Sequence, residues 1–302
     1  LTTPEITQRP NPFQAFLLAT RPKTLLASTS PVIVGSAVAI RTGHFEPGPA
    51  LAALLGAVFL QIGANFANDV YDFQKGVDTH LRLGPVRVTQ AGLLSARQVL
   101  AGMWLFFGLA AAAGVYLTVQ AGWPVVAIGL LSILVAILYT GGPFPLGYHG
   151  LGELFVFIFF GLVAVCGTYY VQAGIVSPLA VWAAVPMGLL TSGILSVNNL
   201  RDLETDRATG KWTLAARFGL AFARRIYLLE LGLAFSIPLL MLAARVTDAW
   251  ILLAWGAAVL AVPLVRTIYT QSGRPLNKAL AATGQLELLY GLLFSIGLIL
   301  GK

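Results

Sequence analysis

"ALAALLGAVFLQIGANFANDVYDFQKGVD" (Ala50–Asp78) joins an apolar run to a cluster of acids. The first two-thirds is apolar or small and long enough to cross a hydrocarbon core. It then places Asn68, Asp69 and Asp72 in five residues and, after Gly76, Asp78. The fold must account for both halves: why the run is so apolar, and what makes so much negative charge tolerable at its end.

The first half is repeated along the chain. Of 302 residues, 57% are hydrophobic and 10% charged, and mean hydropathy is +0.81. Apolar stretches are read at 24–40, 50–71, 98–119, 124–140, 151–173, 178–199, 225–244, 249–269 and 284–301. This predicts an all-α, polytopic membrane protein of nine transmembrane helices forming one domain over 1–302, with span four short. The net charge of +7 then points to the positive-inside bias and anionic lipid contact rather than to nucleic acid. One cysteine, Cys166, excludes an internal disulfide or a thiolate cluster. The N-terminal stretch lacks the ordered features of a signal peptide, so insertion is expected to start with the first span.

Nine spans put the termini on opposite sides, and the basic residues test that count. Arg9, Arg21, Lys23, Lys75, Arg82, Arg87, Arg97, Arg201, Arg207, Lys211, Arg217, Arg224, Arg225, Arg266, Arg274 and Lys278 fall on one side. Arg41, Arg245 and Lys302 fall on the other. The asymmetry places the first side in the cytoplasm, in a cell inner (plasma) membrane. The same side carries the two long polar loops, within 68–97 and 198–224. Asn68-Asp69-x-x-Asp72 and Asn198-Asn199-x-x-Asp202 open them and resemble a parallel internal repeat.

On a helix, Asn65, Asn68, Asp69 and Asp72 share one face, and Gly76 permits a turn that returns Asp78 towards them. Asn198, Asp202 and Asp206 share a face likewise, whereas Glu204 points elsewhere as a solvated loop acid. An unpaired Asp at membrane depth costs roughly 2.5–3.5 kcal/mol, so something positive should lie between the two rows. Carboxylate and amide oxygens without His or Cys suit Mg²⁺, which usually shares its sphere with water and substrate phosphate. Lys75, Arg82, Arg87, Arg207 and Lys211 flank the acids and would help balance a diphosphate. "TGKWT" (209–213) lacks the first glycine of a P-loop. His44, His80 and His149 are scattered in loops. Tyr139, at the loop entrance, is the candidate for facing a reactive cation. Intramembrane Glu230 and Glu287 are functional candidates by depth alone.

"NDVYDFQKGVD" and "NNLRDLETDRATGKWTLAARFG" resemble the two aspartate-rich motifs of the UbiA superfamily of intramembrane prenyltransferases. "RPKTLLASTSPVIVG", "GPVRVTQAGLLS" and "YTGGPFPLGYHGLGEL" look like its 1,4-dihydroxy-2-naphthoate polyprenyltransferase branch. The resemblance runs over nearly the whole chain. It implies nine helices around a central lateral cavity and Mg²⁺ held by Asn68, Asp72, Asp78, Asn198, Asp202 and Asp206. It also implies a polyprenyl diphosphate donor gripped with help from Lys23, Lys75, Arg87, Arg207 and Lys211. The aromatic acceptor would be 1,4-dihydroxy-2-naphthoate, losing its carboxylate to give demethylmenaquinone. Many relatives carry a third acid where this chain has Gly76; here it comes at Asp78. The rival readings are other aromatic acceptors of the same superfamily and, from a different class, a membrane transporter.

Overall fold

A computed structural model describes residues 10–79 and 82–301. Arg9, His80 and Lys302, which the sequence reading uses, lie outside the described residues. No strand occurs among the described residues. A short helix, α1 (Pro12–Thr20), precedes α2 (Leu25–Arg41), α3 (Pro47–Gln74), α4 (Ala96–Ala121) and α5 (Pro124–Leu138). Then α6 (Gly152–Val156), a π-helical stretch (Phe157–Cys166) and α7 (Gly167–Ala173) form one rod. After it come α8 (Pro178–Arg201), the short α9 (Leu203–Ala208) and α10 (Leu214–Phe218), and α11 (Leu220–Ala243). A 3₁₀ stretch (Ala249–Ala257) leads into α12 (Ala258–Thr270), and α13 (Leu276–Leu300) closes the chain.

Starts are written locally. Proline occupies the first turn of α1, α3, α5 and α8, where its missing N–H costs nothing. Asn11 with Gln14, and Ser95 with Gln98, close capping boxes. Among the described residues, eight helices are long and apolar enough to cross a membrane. The fourth predicted span, α5, is only 15 residues, about 22 Å at 1.5 Å per residue. It is shorter than a hydrocarbon core is thick, in line with the short span four read from the sequence. The first predicted span, 24–40, is α2, and the left-handed backbone of Arg21 (φ 50°) sets the short α1 off ahead of it.

The two ends of the bundle differ chemically. At one end Arg41 donates to the Leu298 carbonyl at 2.9 Å, and Gly301 packs beside Arg41 and Asp248. At the other lie the ends of α3 and α8, the α1–α2 junction and the segments 75–79, 82–95, 139–151 and 202–219. Among the described residues, Arg41 lies at the first end, and Arg21, Arg82, Arg87, Arg201, Arg207 and Lys211 lie at the second.

The larger core forms around α8 and α13. There the rod meets α8 backbone to backbone: a Cβ on Gly161 would stand 2.7 Å from the Gly188 Cα. Lipid tails are as apolar as leucine, so such close packing holds the helices together better than apolarity does. A second core, built on Phe66, Val99, Met103 and Phe107, joins α3 to α4. Because α5 packs on α3 and α4, and the rod on α8 and α2, a gap remains between the two groups. It is an apolar cavity of about 380 Å³ running from Asn68 and Tyr139 to Leu117 and Val171.

Candidate active site

α3 ends where the chemistry begins. Gly76, at φ 69°, takes the left-handed conformation that turns the chain, and Val77 N–H bonds back to the Asp72 carbonyl at 3.0 Å. Asp78 therefore returns beside Asp72, as the sequence predicted. Arg87 joins them: its Nη2 donates to Asp72 Oδ2 at 2.9 Å, and its Nε stands 3.1 Å from Asp78 Oδ2. Arg82 bonds the other Asp78 oxygen. Asp69 does different work. It accepts from the backbone N–H groups of Val88 (3.1 Å) and Thr89 (3.0 Å), so it fixes the segment that carries Arg87. Asn65 is spent on the α1–α2 junction, donating to the Thr20 carbonyl and to Thr24. Asn68 accepts from Thr140 at 3.0 Å and lines the cavity.

The second row keeps helical register across the end of α8. Asp202 N–H bonds to the Asn198 carbonyl (3.1 Å) and Asp206 N–H to that of Asp202 (2.8 Å). Arg201 is fully buried and forks onto both Asp202 oxygens, Asn198 Oδ1 (2.9 Å) and Asn277 Oδ1 (2.9 Å). Gly210, at φ 74°, turns the chain so that Lys211 comes back to Asp206, 3.9 Å away.

The rows face one another. Burial opposes the charge on Lys211, but Asp206, Asp72 and Asp202 outweigh it and hold the ammonium above its ordinary range. One cation thus feels acids from both motifs. Tyr148 spans the same gap. Its hydroxyl donates to Asp72 Oδ1 at 2.6 Å, and Lys75 and Lys211 lie 5.2 and 5.5 Å from its ring centre. Its carbonyl accepts from Trp212 N–H at 3.0 Å. Burial, only partly offset by Arg82, raises the Asp78 carboxyl to about 6. Burial, partly offset by Lys211, does the same to Asp206.

Sequence reasoning expected metal and diphosphate to make the acids tolerable. Here each row also has its own guanidinium: Arg82 and Arg87 for the first, Arg201 for the second. Among the described residues, no three His, Cys, Asp or Glu side chains converge into a closed metal cage. A divided donor set still fits Mg²⁺, which takes one or two carboxylates and fills its sphere with water and phosphate. Asp206 Oδ2 and Arg87 Nη1 are buried without a hydrogen-bond partner, the first a free ligand atom and the second a free donor for an anion.

Of the predicted residues, Asn68, Asp72, Lys75, Asp78, Arg87, Asn198, Asp202, Asp206 and Lys211 gather around this gap. Tyr139 lines the cavity below it. Two predicted diphosphate contacts are not gathered. Lys23 is exposed on the turn between α1 and α2. Arg207 bonds the Ala216 carbonyl (2.8 Å) and pairs with exposed Glu204 (3.8 Å), so it ties α9 to α10. Tyr148 and Arg201 escaped the sequence reading. Tyr148 lies in the turn-rich loop after α5, and only its place in "YTGGPFPLGYHG" marked it. Arg201 looked like one basic residue of a topological set. Glu287 is fully buried and accepts from Thr191 at 2.7 Å, and Glu230 packs beside Gly193. Both face α8, away from the acidic rows.

Residues 28–299 match the UbiA prenyltransferase family. The chain is 36% identical over 294 residues to the 1,4-dihydroxy-2-naphthoate octaprenyltransferase of Haemophilus influenzae, covering 93% of this chain and 94% of that one. The fold is that of a UbiA homologue from Aeropyrum pernix (TM-score 0.70, 16% identity, 88% and 96% covered). It is also that of a UbiA homologue from Archaeoglobus fulgidus bound to GPP and Mg²⁺ (TM-score 0.64, 16% identity, 93% and 100% covered).

Proposed function

Because the chain belongs to the UbiA prenyltransferase family, we propose that it transfers a polyprenyl group from its diphosphate to 1,4-dihydroxy-2-naphthoate within a membrane. The acceptor loses its carboxylate, and the product is the demethylated quinol of menaquinone biosynthesis. The acceptor follows from the relative of that activity, similar over nearly the full length of both chains. The observation that carries the chemistry is the junction of two opposed carboxylate rows with an apolar cavity at Asn68 and Tyr139.

The donor divides between these compartments. Its diphosphate sits among the acidic rows, within reach of Arg87, Lys75 and Lys211, and its tail lies in the cavity. Asn68, Asp72 and Asp78 from one row and Asn198, Asp202 and Asp206 from the other would hold Mg²⁺. Mg²⁺ bound there supplies Lewis-acid neutralisation of the departing diphosphate. Lys211, already in the field of both rows, stabilises charge that grows as the allylic C–O bond breaks. Arg87, fixed through Asp69 and the Val88 and Thr89 amides, offers its buried free Nη1 to the same charge. The Tyr139 ring faces the allylic carbon and favours its positive character. Apolar walls such as Val156, Phe159 and Val163 keep water from intercepting the cation. The electron-rich naphthoate ring attacks instead. With the positive-inside bias, the diphosphate site opens to the cytoplasmic face of the cell membrane.

Offering the purified protein one labelled octaprenyl diphosphate and several aromatic acceptors tests the assignment. 1,4-Dihydroxy-2-naphthoate should be prenylated and decarboxylated in preference to 4-hydroxybenzoate and homogentisate. A preference for either of those acceptors would overturn it.

A further inference from the structure

The cavity has a part that the transfer chemistry leaves unexplained. Beyond the polar end its walls lose their side chains at one depth on three helices: Gly56 on α3, Gly114 on α4 and Gly129 on α5. Gly56 lies roughly 18 Å along α3 from Asn68, and Gly129 roughly 15 Å along α5 from Tyr139, at 1.5 Å per residue. Packing does not require glycine at two of them. A Cβ on Gly114 or Gly129 would meet no heavy atom within 4 Å, and neither residue has a positive φ. In a helix interior, glycine costs about 1 kcal/mol relative to alanine. What these glycines leave open is the cavity itself.

Below this collar the space ends. Leu117, Val125 and Val171 pack with Ala52, Ala53, Ala121 and Tyr170 into a floor, and the Tyr170 hydroxyl is tied to the Ala121 carbonyl at 3.1 Å. A donor tail reaches the cavity from lipid that is as apolar as these walls. Transfer between them provides little driving force, so burial alone cannot select one tail over another. Steric passage can.

We propose that Gly114 and Gly129 are the specificity-determining residues for donor length. Their missing side chains leave room above the floor for a long polyprenyl tail to turn aside towards the lipid, and bulk at either position limits the enzyme to tails that end before it. The inference rests on the prenyl-transfer reading and adds which donors that reaction accepts.

The test compares kcat/KM for octaprenyl diphosphate with kcat/KM for dimethylallyl diphosphate, using the full chain in lipid nanodiscs. Gly129→Leu and Gly114→Leu are each expected to lower the long-to-short ratio at least tenfold. Gly108→Leu is the control. Gly108 lies on the same helix as Gly114, is exposed outside the cavity, and also has no atom within 4 Å of a built Cβ. Its ratio should stay within twofold of the wild type. Ratios within twofold for both cavity variants, an equal shift in Gly108→Leu, or loss of both donors in both cavity variants would overturn the proposal. If one cavity variant does not accumulate, the other decides. A wild-type chain that transfers neither tail would count against prenyl transfer itself, not against the collar.

Discussion

Replacing Tyr148 by phenylalanine isolates one bond that joins the two halves of the site. The phenol donates to Asp72 Oδ1 at 2.6 Å, and both residues are buried. Phenylalanine keeps the ring that Lys75 and Lys211 face, so only the hydroxyl is lost. A hydrogen bond to a charged group contributes about 1.5–3 kcal/mol. If that bond persists through the transition state, kcat/KM falls by roughly 10- to 150-fold, at 1.36 kcal/mol per decade. Without its donor, Asp72 is also free to rotate, so half-saturation by Mg²⁺ should need more metal. The assay is steady-state transfer of labelled octaprenyl diphosphate across an Mg²⁺ titration, with thermal unfolding as a fold control. A variant within twofold of wild type at every Mg²⁺ concentration would refute the view that Tyr148 orients Asp72. So would a loss of activity matched by a loss of folded protein.

Two further outcomes follow from the same geometry. Asp69→Asn keeps one carbonyl oxygen for the Val88 and Thr89 amides but loses the charge and the second acceptor, and should cost about 1.5–3 kcal/mol of stability. Urea unfolding in detergent measures this, and an unchanged midpoint would mean that Asp69 does not hold the Arg87 segment. For pH, Asp78 and Asp206 are both raised to about 6 by burial. Raised carboxyls keep their protons to higher pH, and metal binds only the deprotonated form. Apparent Mg²⁺ affinity should therefore be full at pH 7.5 and decline as pH falls through about 6; a pH-independent affinity between 7.5 and 5.5 would contradict it.

The spans, the single apolar bundle and the two acidic rows were legible because each is written locally. Apolar run length sets a helix in lipid, and i, i+4 spacing sets a face. Even the return of Asp78 could be read, since Gly76 is free to take a positive φ. What escaped depends on distant pairing. Asp69 and Asp72 look alike in sequence, yet one is used by two backbone amides and the other faces the gap, because the segment at Val88 and Thr89 meets α3 only in three dimensions. Arg201 reads as a topology marker until α13 brings Asn277 to it. Arg207 and Lys23 show the reverse: expected at the diphosphate, but turned to α10 or to the surface. The short α1 ahead of the first predicted span also escaped, although Pro22 marks its end beside Arg21.

Donor binding tests the central claim most directly. If the opposed rows hold one Mg²⁺–diphosphate unit, Asp72→Asn and Asp202→Asn each remove the same assembled site. Calorimetric titration of octaprenyl diphosphate should then show a similar, large loss of Mg²⁺-dependent affinity in each single variant, and the double variant should lose little more. Donor binding that is indifferent to Mg²⁺, or losses that add fully in the double variant, would contradict the account.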